Sequence, residues 1–245
     1  MPTRVAALYD IHGNLPALEA VLREVRAAGV DHIVVGGDVL PGPMPRDSLQ
    51  ALLDVDLPMS FIHGNGDREV IEPTGAVPEP YLESMRWNAA QLRPEDTQRL
   101  AAWPPAQRLR IDGVGEVLFC HATPRNDVEI FTRVTREERL LPIFGELGVQ
   151  IAVCGHTHMQ FDRPVGPVRV VNAGSVGMPF GEPGAYWLLL GPGVELRRTS
   201  YDLEQAAQRV RATAYPKAEE FAATSVLQPP SEQQILDAFS HAELT

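Results

Sequence analysis

Two kinds of stretch alternate along this chain. Short runs, apolar at nearly every position, recur at residues 4–9, 32–36, 59–63, 115–120 and 149–154. Runs of that length predict strands. Between them the apolar residues fall at helical spacing. Leu15, Leu18, Leu22 and Val25 put a stripe on a helix over 15–28, with Asn14 at its N-cap and Gly29 at its stop. Further helices are predicted over 47–53, 136–147, 201–214 and 231–241, the last capped by Ser231. Residues 67–103 read as mostly helical, broken near Pro73-Thr74-Gly75 and Pro78-Glu79-Pro80. The pair 106–111 and 115–120 predicts a hairpin turning at Asp112-Gly113. After residue 158 the pattern predicts strands at 168–172, 185–190 and 194–199. Residues 215–230 read as irregular, and the tail from 215 is the least constrained part: packing on the sheet, exchange with a neighbouring subunit and a loose tail all stay open.

The polar residues that close these runs are chemically alike. Asp10 and His12 follow the first run, Asp38 the second, Asn65 the third, His121 the fourth, and His156 and His158 the fifth. Residues two apart on extended backbone face the same way, so each of the pairs 10/12 and 156/158 can point into one cavity. Neutral imidazole suits transition metals, and carboxylates add the charge that holds a divalent ion. Side chains from several strands converge outside the strand ends of such sheets.

In order, these elements read D-x-H, G-D, G-N, H and G-H-x-H. They resemble the calcineurin-like metallophosphoesterases, which carry that pattern. Leu15-Pro16-Ala17-Leu18 and Trp87…Trp103-Pro104 are similar to bacterial members grouped with diadenosine tetraphosphatase and small bacterial phosphodiesterases. The resemblance implies an α/β fold, a four-layered α/β/β/α sandwich of two mixed sheets. It implies one domain over 1–245, with 67–105 as a helical insert and 202–245 as a C-terminal helical appendage. It also implies two divalent ions, drawn from Mn, Fe, Ni or Zn. Asp10, His12 and His158 would hold one, Asn65, His121 and His156 the other, and Asp38 would bridge. Two carboxylates set about −2 against about +4, leaving charge for a phosphate to neutralise. The implied reaction is hydrolysis of a phosphate ester by a hydroxide bridging the ions, with Asn65 and His121 catalytic.

One position departs from the pattern. Relatives often read G-N-H-[DE], with that His thought to protonate the leaving oxygen; here Gly64-Asn65-Gly66-Asp67 stands instead. General-acid help contributes about 10²–10⁴-fold, so good leaving groups, or diesters, are expected as substrates. His63 substitutes only if the chain stays extended through Gly64. Asn65 and Arg125 are the expected substrate contacts, Arg125 because it follows His121 in a turn-rich loop. Arg46 reads more simply as a solvated surface residue. The three-proline loop Leu40–Arg46 is expected to wall the pocket, being stiff and next to Asp38. Asn172-Ala173-Gly174-Ser175-Val176-Gly177 resembles the family's N-P-G-S turn, with glycines that let backbone approach the site.

Composition narrows the partners. The chain has 245 residues, 44% of them hydrophobic, and a net charge of −11. That charge argues against a stable nucleic-acid partner, though not against a nucleotide substrate. Apolar runs fall short of the roughly 18–20 residues that span a bilayer. Cys120 and Cys154 both end apolar runs and read as small buried residues in a reducing, cytoplasmic setting. The expectation is a phosphodiesterase for small phosphate esters or nucleotides, free of membranes, with a homo-oligomer left open. A non-catalytic scaffold that binds a partner protein, a phosphomonoesterase and a dinucleoside polyphosphate hydrolase are the alternatives.

Overall fold

The structure, a computed structural model, describes residues 1–73 and 77–244. The expected helix break at Thr74-Gly75 lies outside the described residues. Among the described residues, ten strands form two five-stranded sheets. The first has the order β10-β9-β1-β2-β3, built from β1 (Val5–Leu8), β2 (His32–Val35), β3 (Met59–Phe61), β9 (Ala185–Leu190) and β10 (Val194–Thr199). The second has the order β4-β5-β6-β8-β7, built from β4 (Ala106–Ile111), β5 (Gly115–Cys120), β6 (Ile151–Cys154), β7 (Phe161–Val165) and β8 (Val168–Asn172). Strands β1, β2 and β3 are mutually parallel, and so are β5, β6 and β8; the remaining pairings are antiparallel.

Alternation along each strand explains why the runs lack a polar face. Val5, Ala7 and Tyr9 point between the sheets and meet Val117, Phe119, Val153 and Val171 from the other side. Ala6 and Leu8 point outward onto α1 (Leu15–Ala27), against Leu18, Val21 and Val25. In the second sheet Leu118, Cys120, Ala152 and Cys154 face outward, against Leu140 and Phe144 of α6 (Glu137–Phe144). Every central strand is thus buried on both faces, as the helix-covered layers require. The α/β/β/α sandwich is therefore present, and Tyr9 ties its two sheets through a bond from its hydroxyl to the Val153 carbonyl (3.2 Å).

Helix α2 (Pro45–Leu53) follows the three-proline loop, and α3 (Asn65–Ile71), α4 (Glu79–Gln91) and α5 (Pro94–Ala101) lie between β3 and β4. Asn14 caps α1 through its side-chain oxygen and also donates to the Gly177 carbonyl (2.9 Å). Ser231 caps α9 (Glu232–Phe239) in a capping box.

Two expectations fail. Residues 161–165 form a strand, although Pro164 weakens its signal; β7 is an edge strand, where a missing N–H costs no ladder bond. Residues 215–230 are irregular only at 215–217 and 228–230. After α7 (Leu203–Arg211), α8 (Ala218–Phe221) runs directly into a π-helical turn over Ala222–Leu227. Tyr215, Phe221, Ala222 and Val226 bury against Ala206, Ala207 and Val210 of α7, forming a small core of their own.

Candidate metal centre

The parallel strands of both sheets end at one crevice, and the polar residues that follow them meet there. Asp10, Asp38 and His121 are buried to 3% exposure or less. The Oδ1 atom of Asp10 is buried and receives no hydrogen bond. Facing it are the Nε2 atoms of His158 at 3.3 Å, His121 at 3.8 Å and His12 at 4.0 Å. Asp38 Oδ2 stands between His12 (3.7 Å) and His121 (3.5 Å). Two sets of candidate metal ligands result, Asp10/His12/His158 and Asp10/Asp38/His121.

The ring orientations fit a cation. A carbonyl only accepts, so an imidazole nitrogen beside one carries the proton. Nδ1 of His12 donates to Pro41 (3.2 Å), Nδ1 of His121 to Gly36 (3.0 Å) and Nδ1 of His158 to Met178 (2.7 Å). In the neutral rings the lone pairs then lie on Nε2, aimed into the crevice. Backbone carbonyls fix metal-ligating histidines in this way. Nε2 of His12 and Nε2 of His158 approach to 3.3 Å, which requires a proton or a cation between two lone pairs. A cluster of two carboxylates and convergent lone pairs around an orphaned oxygen suits divalent metal.

The remaining expected ligands join less directly. Asn65 opens α3 and sets its Oδ1 3.1 Å from His121 Nε2. His156 donates its backbone N–H to Asp10 Oδ2 (2.9 Å), and its ring packs edge-on against His121 (5.2 Å). Its Nε2 donates to the Val128 carbonyl (3.2 Å), leaving the lone pair on Nδ1.

Charge and burial set the proton balance. Burial opposes charge on His121, but Asp38, then Asp10, overcome it and push the ring up to about 10. Burial would raise the Asp38 carboxyl; His121 and then His12 hold it well below the usual range. Burial lowers His156 to about 4, and the charge on His121 adds to that.

The backbone corrects the extended-pair expectation. Strands β1 and β6 end before their ligands, and Asp10, His12, His156 and His158 take positive φ (53°, 47°, 63° and 57°). Asp38 does the same at 53°. Such residues cost of order 1–3 kcal/mol each and cluster at functional sites. His156 and His158 consequently diverge, one ring packing on His121 and the other facing Asp10.

A clamp holds these loops. Ser175 donates its hydroxyl to the Asp10 carbonyl (2.7 Å), and Asn172 donates to the Gly155 carbonyl (2.7 Å). Gly177 lies so close that a Cβ there would stand 1.8 Å from the Ile11 carbonyl oxygen. The Asn172–Gly177 turn therefore makes the close approach read from its glycines.

Asp67 is a positioning residue that sequence reasoning passed over. Its buried carboxylate accepts the backbone N–H groups of Asp38 (2.7 Å), Leu40 (3.0 Å) and Gly64 (3.1 Å), pinning two ligand loops. Its place after Asn65-Gly66, where relatives carry an acid, was the available signal.

Other expected contacts lie elsewhere. Arg125 gives its guanidinium to Glu129 and does not line the crevice. Glu129 is held in place in turn by the Thr123 hydroxyl (2.5 Å). Arg46, half-exposed, faces Asp96 at 3.9 Å, a surface role. Gly64 is extended (φ −103°, ψ 178°), yet Asn65 turns into α3, so His63 diverges and points Nδ1 at Asp127 (3.7 Å).

Above the crevice lies a cavity of about 230 Å³. His12, Asp38, Asn65 and Gly66 form its floor, and Pro41 part of its wall, as expected of the proline loop. The rest comes from α4, from Met178 and from residues 215–225 of the tail.

A buried, strained, two-carboxylate and four-imidazole cluster at converging strand ends defines the site of a metal-dependent hydrolase. The chain matches the calcineurin-like phosphoesterase superfamily domain over residues 4–190 and belongs to that superfamily. It is 26% identical over 242 residues to an uncharacterized protein of Methanocaldococcus jannaschii, covering 87% of this chain and 94% of that one. Its fold is similar to that of a hypothetical protein from Pyrococcus horikoshii (TM-score 0.79, 20% identity, 93% of this chain and 99% of that one). It is also similar to a metallophosphoesterase from Sphaerobacter thermophilus (TM-score 0.72, 25% identity, 91% and 98%). No helix among the described residues is long and apolar enough to cross a membrane.

Proposed function

We propose that the protein is a dinuclear-metal phosphodiesterase acting on small phosphate esters or nucleotides. The observation that carries this reading is the orphaned Asp10 Oδ1, ringed by three imidazole nitrogens. Asp10, His12 and His158 would hold one ion, Asn65, His121 and His156 the other, with Asp38 between them. The ions, when bound, supply Lewis acidity toward phosphate oxygens and a nucleophile drawn from water near neutral pH. The chain's own part is placement. Asp38 is fixed by a bond from the Gly66 N–H to its Oδ1 (2.7 Å) and by Asp67 on its backbone. Asn65 Oδ1 stands 3.1 Å from His121 Nε2, which in turn stands 3.5 Å from Asp38 Oδ2.

The leaving oxygen finds no acid at position 66. A Cβ on Gly66 would stand 2.4 Å from the Leu40 carbonyl oxygen, so the backbone itself excludes a side chain there. This supports diesters and good leaving groups over unactivated monoesters.

The test is a panel of Mn²⁺, Ni²⁺, Zn²⁺ and Mg²⁺ against a phosphomonoester, aryl phosphodiesters, cyclic nucleotides and a dinucleoside polyphosphate. Metal-dependent diester hydrolysis with a steep dependence on leaving-group pKa is expected. Asp38→Asn should lower kcat/KM by about 10³-fold or more, a loss of several kcal/mol of transition-state stabilisation, with an unchanged circular dichroism spectrum. Hydrolysis that survives Asp38→Asn, or that ignores chelation, sinks the reading.

A further inference from the structure

We infer that the tail-side half of the cavity is a subsite for a flat ring carried on the phosphate's ester oxygen, an aryl group or a nucleobase, with Tyr81 as its selecting residue. This deepens the reading above and rests on it for the position of the phosphate. The cavity has two chemically distinct halves. Its floor is the polar cluster of His12, Asp38 and Asn65; its wall is Tyr81, Met85, Met178, Tyr215 and Phe221. Aromatic faces and thioethers give a large, adaptable apolar surface that suits a planar group far better than a methyl or a second phosphate.

The wall's charge points the same way. Among the described residues, Lys217 is the only lysine or arginine lining this cavity, and it is already engaged. Its Nζ lies 3.1 Å from Glu220 Oε2, also at the cavity, and 4.5 Å from the centre of the Tyr81 ring. The pair is neutral as a unit, so among the described residues the wall offers no spare lysine or arginine for a further phosphate.

Tyr81 is not there for the core. It is 49% exposed, a large aromatic ring standing at a cavity rim. Thr224 and Ser225 also reach the cavity, from the π-helical turn, a rare backbone form that is frequent at functional sites. The tail's share of the wall lies beyond residues 4–190, the stretch that carries the superfamily's shared centre. The wall is thus shared between that tail and Tyr81, Met85 and Met178, which lie within the stretch that carries the metal ligands.

The experiment is calorimetric binding of methyl phosphate, phenyl phosphate and adenosine 5′-monophosphate to the Mn²⁺-loaded protein. The two ring-bearing ligands should bind at least about ten-fold tighter than methyl phosphate, within the range that stacking on an aromatic side chain supplies. Tyr81→Ala should remove most of that advantage and leave methyl phosphate unchanged, while Tyr81→Phe should keep it. Tight phenyl phosphate with adenosine monophosphate no better than methyl phosphate identifies a small aryl group and excludes a nucleoside. Equal affinity for all three overturns the subsite while leaving the phosphoesterase reading intact. Failure of all three to bind overturns the metal reading, and this one with it.

Discussion

The strand-end crevice and the tail-side wall border the same cavity but are built on opposite principles. In the crevice the seven expected ligands come from five strand ends, Asp10 and His12 from one and His156 and His158 from another, and five of the seven sit at positive φ. Their positions are fixed from behind by backbone: carbonyls on the histidines, three N–H groups on Asp67, Ser175 on Asp10. The wall instead hangs from two helical segments and packs through side chains, with Tyr215 edge-on to Trp87 (5.4 Å). Rigid, strained backbone places ligands to within the tolerance a metal demands, whereas side-chain packing tolerates change. The same molecule can therefore hold its chemistry constant while its wall is altered.

The largest effect that would sharpen this contrast is metal-linked stability. Free Mn²⁺ at about 100 times its dissociation constant should add about 2.7 kcal/mol, raising Tm by roughly 5–10 °C. The shift should vanish in Asp10→Ala and persist in Tyr81→Ala, read by differential scanning fluorimetry with and without chelator. Uptake should strengthen as pH rises. The His121 ring, held up to about 10, is protonated at neutral pH and must lose its proton to bind metal. Metal affinity that falls with rising pH would contradict that assignment.

A smaller effect is expected at Gly66, where the two regions touch. Gly66→Ala forces a Cβ against the Leu40 carbonyl and should cost about 1–3 kcal/mol by denaturant unfolding. It should also weaken metal binding, since Gly66 holds Asp38. An alanine tolerated without loss of either would show that the Leu40–Pro41 backbone yields. The smallest effect is at Arg125. Arg125→Ala should leave KM within about two-fold and lower stability by at most about 1 kcal/mol, because the pair with Glu129 is partly solvated. A ten-fold rise in KM would return it to the substrate.

The sequence determined the order and chemical type of the ligands, because each stands directly after an apolar run and a strand must deliver it to an edge. It also determined the caps of α1 and α9, since capping is decided within three residues of chain. Tertiary structure decided everything that depends on distant partners. His63 and Arg68 are drawn to Asp127, 59 or more residues along, and Arg125 is drawn to Glu129 rather than into the cavity. The left-handed turns at Asp10 and His156 were illegible because their strain is sustained by contacts from Asn172–Gly177 and from each other. Likewise the tail lacks a strong period of its own. It became a pocket wall only because Tyr215, Phe221 and Val226 found apolar surface on α7, and burial across the fold, not local propensity, fixed where it lies.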